Sequence, residues 1–210
     1  MRTSDAKVES ANMPVFVADD ITGVILVGGK SRRMGRDKAF LQMQGKPLFE
    51  RVLDLFRGSF AKVLLVGDRS ERFSSYSLTV LPDLIPGSSL GGVYTGLSGA
   101  DSEWIFVSSC DLPFPSVAIL RHLCSLREGY DAVVPKTGQG YEPLFALYSK
   151  RCLEPIQKLL EGGECCAYAW YPQVRVREVG PEEIARLDPT GTAFLNLNTP
   201  EDVINTGGIT

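Results

Sequence analysis

Apolar and polar positions along the chain fall into short blocks whose period keeps changing. Residues 21–27, ITGVILV, are rich in aliphatic and β-branched side chains, the pattern of a strand covered on both faces. Residues 47–57, PLFERVLDLFR, instead place apolar side chains at 48, 49, 52, 53, 55 and 56, a helical stripe that Pro47 can open and Gly58 can close. The alternation repeats. Residues 61–68 (AKVLLVGD) and 78–83 (LTVLPD) read as strands, 90–100 as a glycine-weakened helix, 104–111 (WIFVSSCD) as a strand and 115–127 as an amphipathic helix. Strands over 131–136 and 142–149, a helix over 150–161 and a half-buried strand over 174–180 follow. A last helix is predicted from Thr199, where Thr-Pro-Glu-Asp offers an N-cap, a first-turn proline and acids beside the helix dipole.

Strands alternating with helices, without an internal repeat, predict an α/β fold: a three-layer, doubly wound, mostly parallel sheet. Residues 1–20 show no sustained period and are expected to form a flexible leader, with 21–210 as one domain. In such sheets ligands bind beyond the carboxyl ends of the strands. Four predicted strand ends carry distinctive groups: Gly28-Gly29, Gly67-Asp68, Asp83 and Cys110-Asp111. The topology predicts that they share one crevice.

Composition narrows the chemistry. The 210 residues are 44% hydrophobic, enough for a real core, and the net charge of −3 argues against a general nucleic-acid binder. No apolar run reaches the length of a membrane span, and residues 1–20 lack the apolar segment of a signal peptide. Five cysteines, an odd number with no C-x-x-C pair, argue against a disulfide framework or a zinc site, so a reducing cytoplasm is expected. His122, the one histidine, lies in a predicted helix among apolar neighbours, which suits a packed or surface role better than catalysis.

Positive charge is concentrated in LVGGKSRRMGRDKAFL, residues 26–41. It is no Walker loop, because five residues separate Gly29 from Gly35 and Arg36 follows, and it is no G-x-G-x-x-G dinucleotide fingerprint. Gly28 and Gly29 nevertheless let backbone N–H groups approach an anion, and Arg32, Arg33, Arg36 and Lys38 place four cations within seven positions. Read alone, the stretch supports a triphosphate cradle and a solvated basic turn equally. Asp111, in SSCDLP (residues 108–113), would stand at a strand end, where one carboxylate plus phosphate oxygens suits Mg²⁺; taken alone, it reads better as an Asp that opens a turn before Pro113. Cys110 reads as a small packed residue, not a nucleophile.

In combination these segments resemble the molybdenum cofactor guanylyltransferases, of the nucleotidylyltransferase superfamily with its Rossmann-like fold. Residues 26–38 resemble that family's L-x-G-G-x-S-x-R-M-G-x-D-K signature, Cys110-Asp111-Leu112-Pro113 its C-D-x-P, PGSSLGG (86–92) its P-G-…-L-x-G segment, and FLNLNTPEDV (194–203) its closing F-x-N-x-N-T-P-E-[DE]-[LV]. The likeness runs in order from Ile21 to Val203. It implies that GMP passes from GTP to molybdenum-bound molybdopterin, giving the guanine dinucleotide cofactor and pyrophosphate. By position it implies GTP contacts from Leu26, Val27, Gly28, Gly29, Lys38, Asp83 and Asp111, catalytic roles for Lys38, Arg33 and Asp111, and Mg²⁺ on Asp111. It also places Asn196 and Asn198 near the pterin, with the cap of the last helix as the lesser alternative. The implied partners are GTP, molybdopterin, and molybdoenzymes or their chaperones downstream, with no nucleic acid and no membrane.

Two positions depart from the family pattern. Ser89 stands where the family usually has Pro, and Val66 or Gly67 where some members have a nucleotide-contacting Asn, which leaves Asp68 to replace that contact. A molybdopterin cytidylyltransferase is the nearest alternative; those tend to carry Ala-Ala-Gly in place of Val27-Gly28-Gly29, which favours GTP here. A sugar-phosphate enzyme would show Gly-x-Gly-Thr-Arg, which is lacking. A scaffold that has lost catalysis is opposed by the presence of both Lys38 and Asp111.

Overall fold

Strand β1 (Ala18–Leu26) is buried without a break from Ile21 onward and occupies the middle of the sheet. The computed structural model describes residues 18–28, 38–68 and 70–195. After β1 come the short strands β2 (Gln42–Met43) and β3 (Lys46–Pro47), helix α1 (Leu48–Arg57), β4 (Phe60–Val66) and β5 (Thr79–Leu81). Helix α2 (Ser89–Gly99), β6 (Trp104–Ser109), α3 (Val117–Ser125), β7 (Ala132–Thr137), β8 (Gly140–Tyr141) and β9 (Phe145–Ser149) follow. The chain continues through α4 (Leu153–Glu161), β10 (Val176–Val179) and α5 (Pro181–Leu187). Residues 1–17 of the predicted leader and the helix expected from Thr199 fall outside the described residues, while the last three leader residues, 18–20, belong to β1.

The main sheet runs β10-β7-β9-β6-β1-β4-β5. Strands β1, β4, β5 and β6 are parallel, as are β7 and β10, while β9 is antiparallel to both β6 and β7. The expected doubly wound, mostly parallel α/β sheet is therefore present, with one strand reversed. Helices cover both faces. One core combines Phe49, Val52 and Phe56 of α1 with Ile119 and Leu123 of α3 and Ile184 of α5; the other gathers Leu90, Val93 and Leu97 of α2, Ile156 of α4 and Trp170.

Local chemistry explains most element bounds. Helix α1 buries Leu48, Phe49, Val52, Leu53 and Phe56 on one stripe, and the N–H of Gly58 closes it onto the C=O of Asp54 at 3.0 Å. In α2 the glycines are packing sites. A Cβ on Gly96 would lie 2.8 Å from the side chain of Val24, so glycine lets this helix lie close against β1. Strand β9 starts at Phe145, three residues later than the sequence pattern suggests. Pro143 lacks the N–H a ladder needs, and the N–H of Phe145 turns back to the C=O of Glu142 at 3.2 Å. Helix α5 was not foreseen, although Pro181 and the acids Glu182 and Glu183 are ordinary helix-start signals.

Ser89 is the first residue of α2, and Ser88 caps it by accepting the N–H of Gly91 at 3.0 Å. The proline usual at position 89 is therefore replaced at a helix start that a side-chain cap already fixes. Ser88 is extended (φ −136°, ψ 152°), the conformation that a following proline demands. Ser89→Pro is expected to raise unfolding stability by about 0.4–1 kcal/mol, chiefly by restricting the unfolded chain, as read from urea denaturation.

At the opposite edge of the sheet, Asp131 binds three segments together. Its side chain accepts from the Arg175 backbone N–H (3.0 Å), from Arg175 Nε and Nη2 (3.1 and 3.0 Å) and from Arg151 Nη1 (3.2 Å). Its C=O accepts from Ser149 N–H at 2.9 Å, and the Cys152 thiol points at the same oxygen. The Arg175 bonds hold the carboxyl down to about 2, against the opposing effect of burial. The contribution to stability is complete above the unfolded carboxyl value of about 4 and is lost as pH falls from there through about 2. Both arginines are largely exposed, so screening limits it to about 1–2 kcal/mol. Asp131→Asn is expected to lower stability by that amount at pH 7 and to flatten the acid limb of a stability-against-pH curve.

Candidate active site

The register of the parallel strands makes their carboxyl ends level. Leu26 stands beside Val66 and Ser109, and Val66 stands beside Leu81. The ladder continues one step further: Val27 N–H donates to Val66 C=O at 2.9 Å, and Gly67 N–H to Leu81 C=O at 3.0 Å. The residues that follow these ends therefore share one edge in the order Asp111, Gly28, Gly67-Asp68, Asp83. The described residues of the four predicted strand ends line up along one edge of the sheet.

Gly67 is fixed by contact. A Cβ there would lie 2.8 Å from the backbone N of Gly28 and 3.0 Å from Val27 C. A side chain at 67 would press the start of the basic loop away from the sheet, so an asparagine contact has no room at this position. Asp68, the expected substitute, is exposed and uses Oδ1 to accept the backbone N–H of Asp83 at 3.3 Å. It ties the ends of β4 and β5 together.

Asp83 has an internal role of its own. Its Oδ1 accepts from Ile85 N–H (3.1 Å) and faces Thr95 Oγ1 at the same distance, while Thr95 Oγ1 accepts Leu84 N–H at 3.0 Å. Thr95, on α2 and buried, was passed over in the sequence, because nothing local marks a threonine twelve residues away as the partner of an aspartate. Asp83 Oδ2 takes no part in these bonds.

Leu26 and Val27 offer less than the sequence pattern suggests. Leu26 is 8% exposed and packs in the second core, and Val27 packs against the first with its N–H committed to Val66. Their ligand contacts are limited to the remaining backbone groups. Gly29, Arg33 and Arg36 lie outside the described residues, as do Asn196 and Asn198 and the side chain of Lys38; the Lys38 backbone opens the 3-10 turn Lys38–Phe40. Cys110 packs against the first core, as a small apolar residue would.

Asp111 and Asp83 flank this part of the edge. Three strand intervals separate them, about 14 Å, too far to share one ion and suited to opposite ends of an extended nucleotide. Among the described residues no group of three or more His, Cys, Asp or Glu side chains is placed to hold a metal. A cation here would rest on Asp111 and on oxygens brought by the ligand, an arrangement that fits Mg²⁺.

Beyond Asp111 the edge continues to Leu144, whose C=O accepts Ser109 N–H at 3.0 Å, and to Glu142, whose N–H donates to Pro135 C=O at 2.9 Å. Glu142 is half-buried, and Thr137 Oγ1 donates to its Oε1 at 3.1 Å. Burial pushes this carboxyl upward from its ordinary value, and the Thr137 bond partly offsets that. Glu142 reads in the sequence as part of a strand; Pro143, directly after it, is the signal that it leaves the ladder.

Other polar features lie off this edge. His122 Nε2 meets Glu183 Oε1 at 2.6 Å, and Arg177 grips the same carboxylate at 3.0 and 2.9 Å, tying α3, α5 and β10 together. A depression of about 710 Å³ lies beside this cluster, and one of about 870 Å³ lies beside Trp104 and Arg151 at the other edge of the sheet. Neither is lined by a predicted site residue.

Known proteins carry the same arrangement. The MobA-like NTP transferase domain matches residues 23–174. A probable molybdenum cofactor guanylyltransferase of Pelotomaculum thermopropionicum is 40% identical over 184 residues, covering 87% of this chain and 90% of its own. The molybdenum cofactor guanylyltransferase of Desulfosudis oleivorans is 35% identical over 188 residues, covering 88% and 93%. Among solved structures, molybdopterin-guanine dinucleotide biosynthesis protein A of Archaeoglobus fulgidus superposes with a TM-score of 0.77 at 28% identity, over 88% of this chain and 95% of that one. The chain belongs to the MobA-like NTP transferases, on their molybdenum cofactor guanylyltransferase branch.

Proposed function

We propose that this nucleotidyltransferase moves GMP from GTP to molybdenum-bound molybdopterin and releases pyrophosphate. The observation that carries the reading is the level edge on which Asp111, Gly28, Gly67 and Asp83 follow one another, in a chain of this family. An oxygen of the molybdopterin phosphate attacks the α-phosphorus of GTP. The bond from that phosphorus to the α–β bridging oxygen breaks, and pyrophosphate leaves with the electron pair. Both reactants are anions, so alignment and charge compensation supply most of the rate. The acceptor phosphate is already largely ionised near neutral pH, so no general base is required. That agrees with the only histidine being engaged by Glu183, away from the edge.

Gly28 and Gly29 bring backbone N–H groups to the phosphates, while Lys38 and Arg33 offset the charge that grows on the leaving pyrophosphate. Asp111 holds the Mg²⁺, which supplies charge neutralisation and polarises the phosphoryl group when bound. Asp83 Oδ2 reads the N1–H and N2–H₂ edge of guanine, the Oδ1 atom being committed within the loop. Asn196 and Asn198 serve the pterin side. A cytoplasmic setting suits these substrates, and no described helix is long and apolar enough to cross a membrane.

The reading is tested by measuring pyrophosphate release with Mg²⁺ and molybdopterin for GTP, CTP and ATP. Release with GTP only when the acceptor is present is the expected result; turnover with CTP in its place would assign the chain to cytidylyl transfer. Asp111→Asn is expected to lower kcat by about 100-fold or more, in line with loss of a group that stabilises transition-state charge.

Asp83→Asn is a clean test of base reading. The amide keeps one acceptor oxygen for Ile85 and Thr95 and turns the other position into a donor. The preference for GTP over CTP should fall about tenfold or more, with thermal stability nearly unchanged. An unaltered preference would reduce Asp83 to its role in the loop.

A further inference from the structure

Two substrates must meet at Asp111, and the edge has two halves. The half from β1 to β5 carries Gly28, Gly67 and Asp83, which leaves the β9–β7 half for the acceptor. On that side, among the described residues, the Glu178 carboxylate of β10 is committed to Lys136 and Tyr141, and Glu142 stands beside it. Glu142 follows β8 in a turn that bonds on both sides: its N–H reaches Pro135 on β7, and Leu144 receives Ser109 at the end of β6. Its side chain reaches across to Thr137, on the arm of β7 that pairs with β8. Thr137 is two strand intervals from β6, so the Glu142 carboxylate lies about 10 Å from the end that carries Asp111.

That separation resembles the span of fused rings between the terminal phosphate of molybdopterin and the amide edge of its pteridine. The chemistry matches as well. The pteridine presents a ring N–H and an exocyclic amino group side by side, two donors pointing one way. A carboxylate is the side chain that accepts both. Glu142 is half-withdrawn from water, and the internal partner on its Oε1 is a single hydroxyl. Burial pushes its carboxyl upward, the cost of withdrawing a carboxylate partly from solvent. A ligand that brings two N–H donors would relieve that cost.

Resting on the guanylyl-transfer reading above, we infer that Glu142, held by Thr137, binds the donor edge of the acceptor's pterin and sets its distance from Asp111. It is a specificity residue for the acceptor and has no part in holding the nucleotide.

The test is steady-state kinetics on the full chain with molybdenum-bound molybdopterin and GTP varied in turn. Glu142→Gln, of the same size, replaces one acceptor by a donor that opposes the pterin amino group. It should raise KM for the acceptor about 10- to 100-fold while KM for GTP stays within about twofold. Thr137→Val should raise the acceptor KM several-fold by freeing the carboxylate, and Glu142→Asp should recover part of the Gln loss. Circular dichroism melting of each variant separates these effects from unfolding. An unchanged acceptor KM in Glu142→Gln overturns the assignment, and so does a GTP KM that rises in parallel with it. A wild-type chain that shows no turnover with molybdopterin overturns the guanylyl-transfer reading itself, a failure visible before any substitution is made.

Discussion

The contact between Gly67 and the backbone at Gly28 is the constraint on which the rest of the crevice depends. Because neither residue carries a side chain, the ends of β1 and β4 close on each other immediately after the ladder stops. The chain therefore reaches Gly28 at a fixed height above the sheet. Asp68 continues the same closure on the other side by holding the backbone of Asp83. Each ligand-facing group is set by the strand beneath it, and the strands are set by one another. The base of this edge has little side-chain mass, since the backbone itself forms it.

The sheet also separates two tasks. Its parallel part, β6-β1-β4-β5, aligns the strand ends that carry Asp111, Gly28, Gly67 and Asp83. The reversed strand β9 joins this part to β7 and β10 without a crossover helix at the crevice, so a turn and a hairpin stand there. Polar ties that do not face the crevice keep the far side rigid. The Asp131 cluster holds β7, β10 and the start of the α4 segment, and the Glu183 cluster holds α3 against α5. These clusters account for His122 and for much of the buried charge without giving either a chemical role.

Much of this was legible in the sequence because the signals are local. Leu48, Phe49, Val52, Leu53 and Phe56 sit at helix spacing and are buried in that pattern. The run from Ile21 to Leu26 is apolar because it is covered on both faces. The glycine and aspartate positions were visible because they follow such runs directly. What was missed has two causes: a partner far along the chain, or a local signal outweighed by its neighbours. The glycines of α2 read as weakness until Val24 is seen against Gly96. Asp83 read as a ligand contact alone, since its partner Thr95 lies on the next helix. Glu142 read as a strand residue, although Pro143 marked the end of the ladder, because apolar neighbours outweighed one proline.

The β7–β8 hairpin has a consequence for how such a chain can vary. Gly138 and Gly140, at its tip, have open space where a Cβ would be added, and no strand of the main sheet depends on the number of residues between Thr137 and Gly140. Insertions there lengthen one wall of the crevice and leave every register of the nucleotide half in place. Length changes after β1 or β4 would instead break the level edge. The chain thus confines tolerance for new loop length to the hairpin side of the edge, so a lineage of such proteins can vary that wall while the β6-β1-β4-β5 edge remains constant.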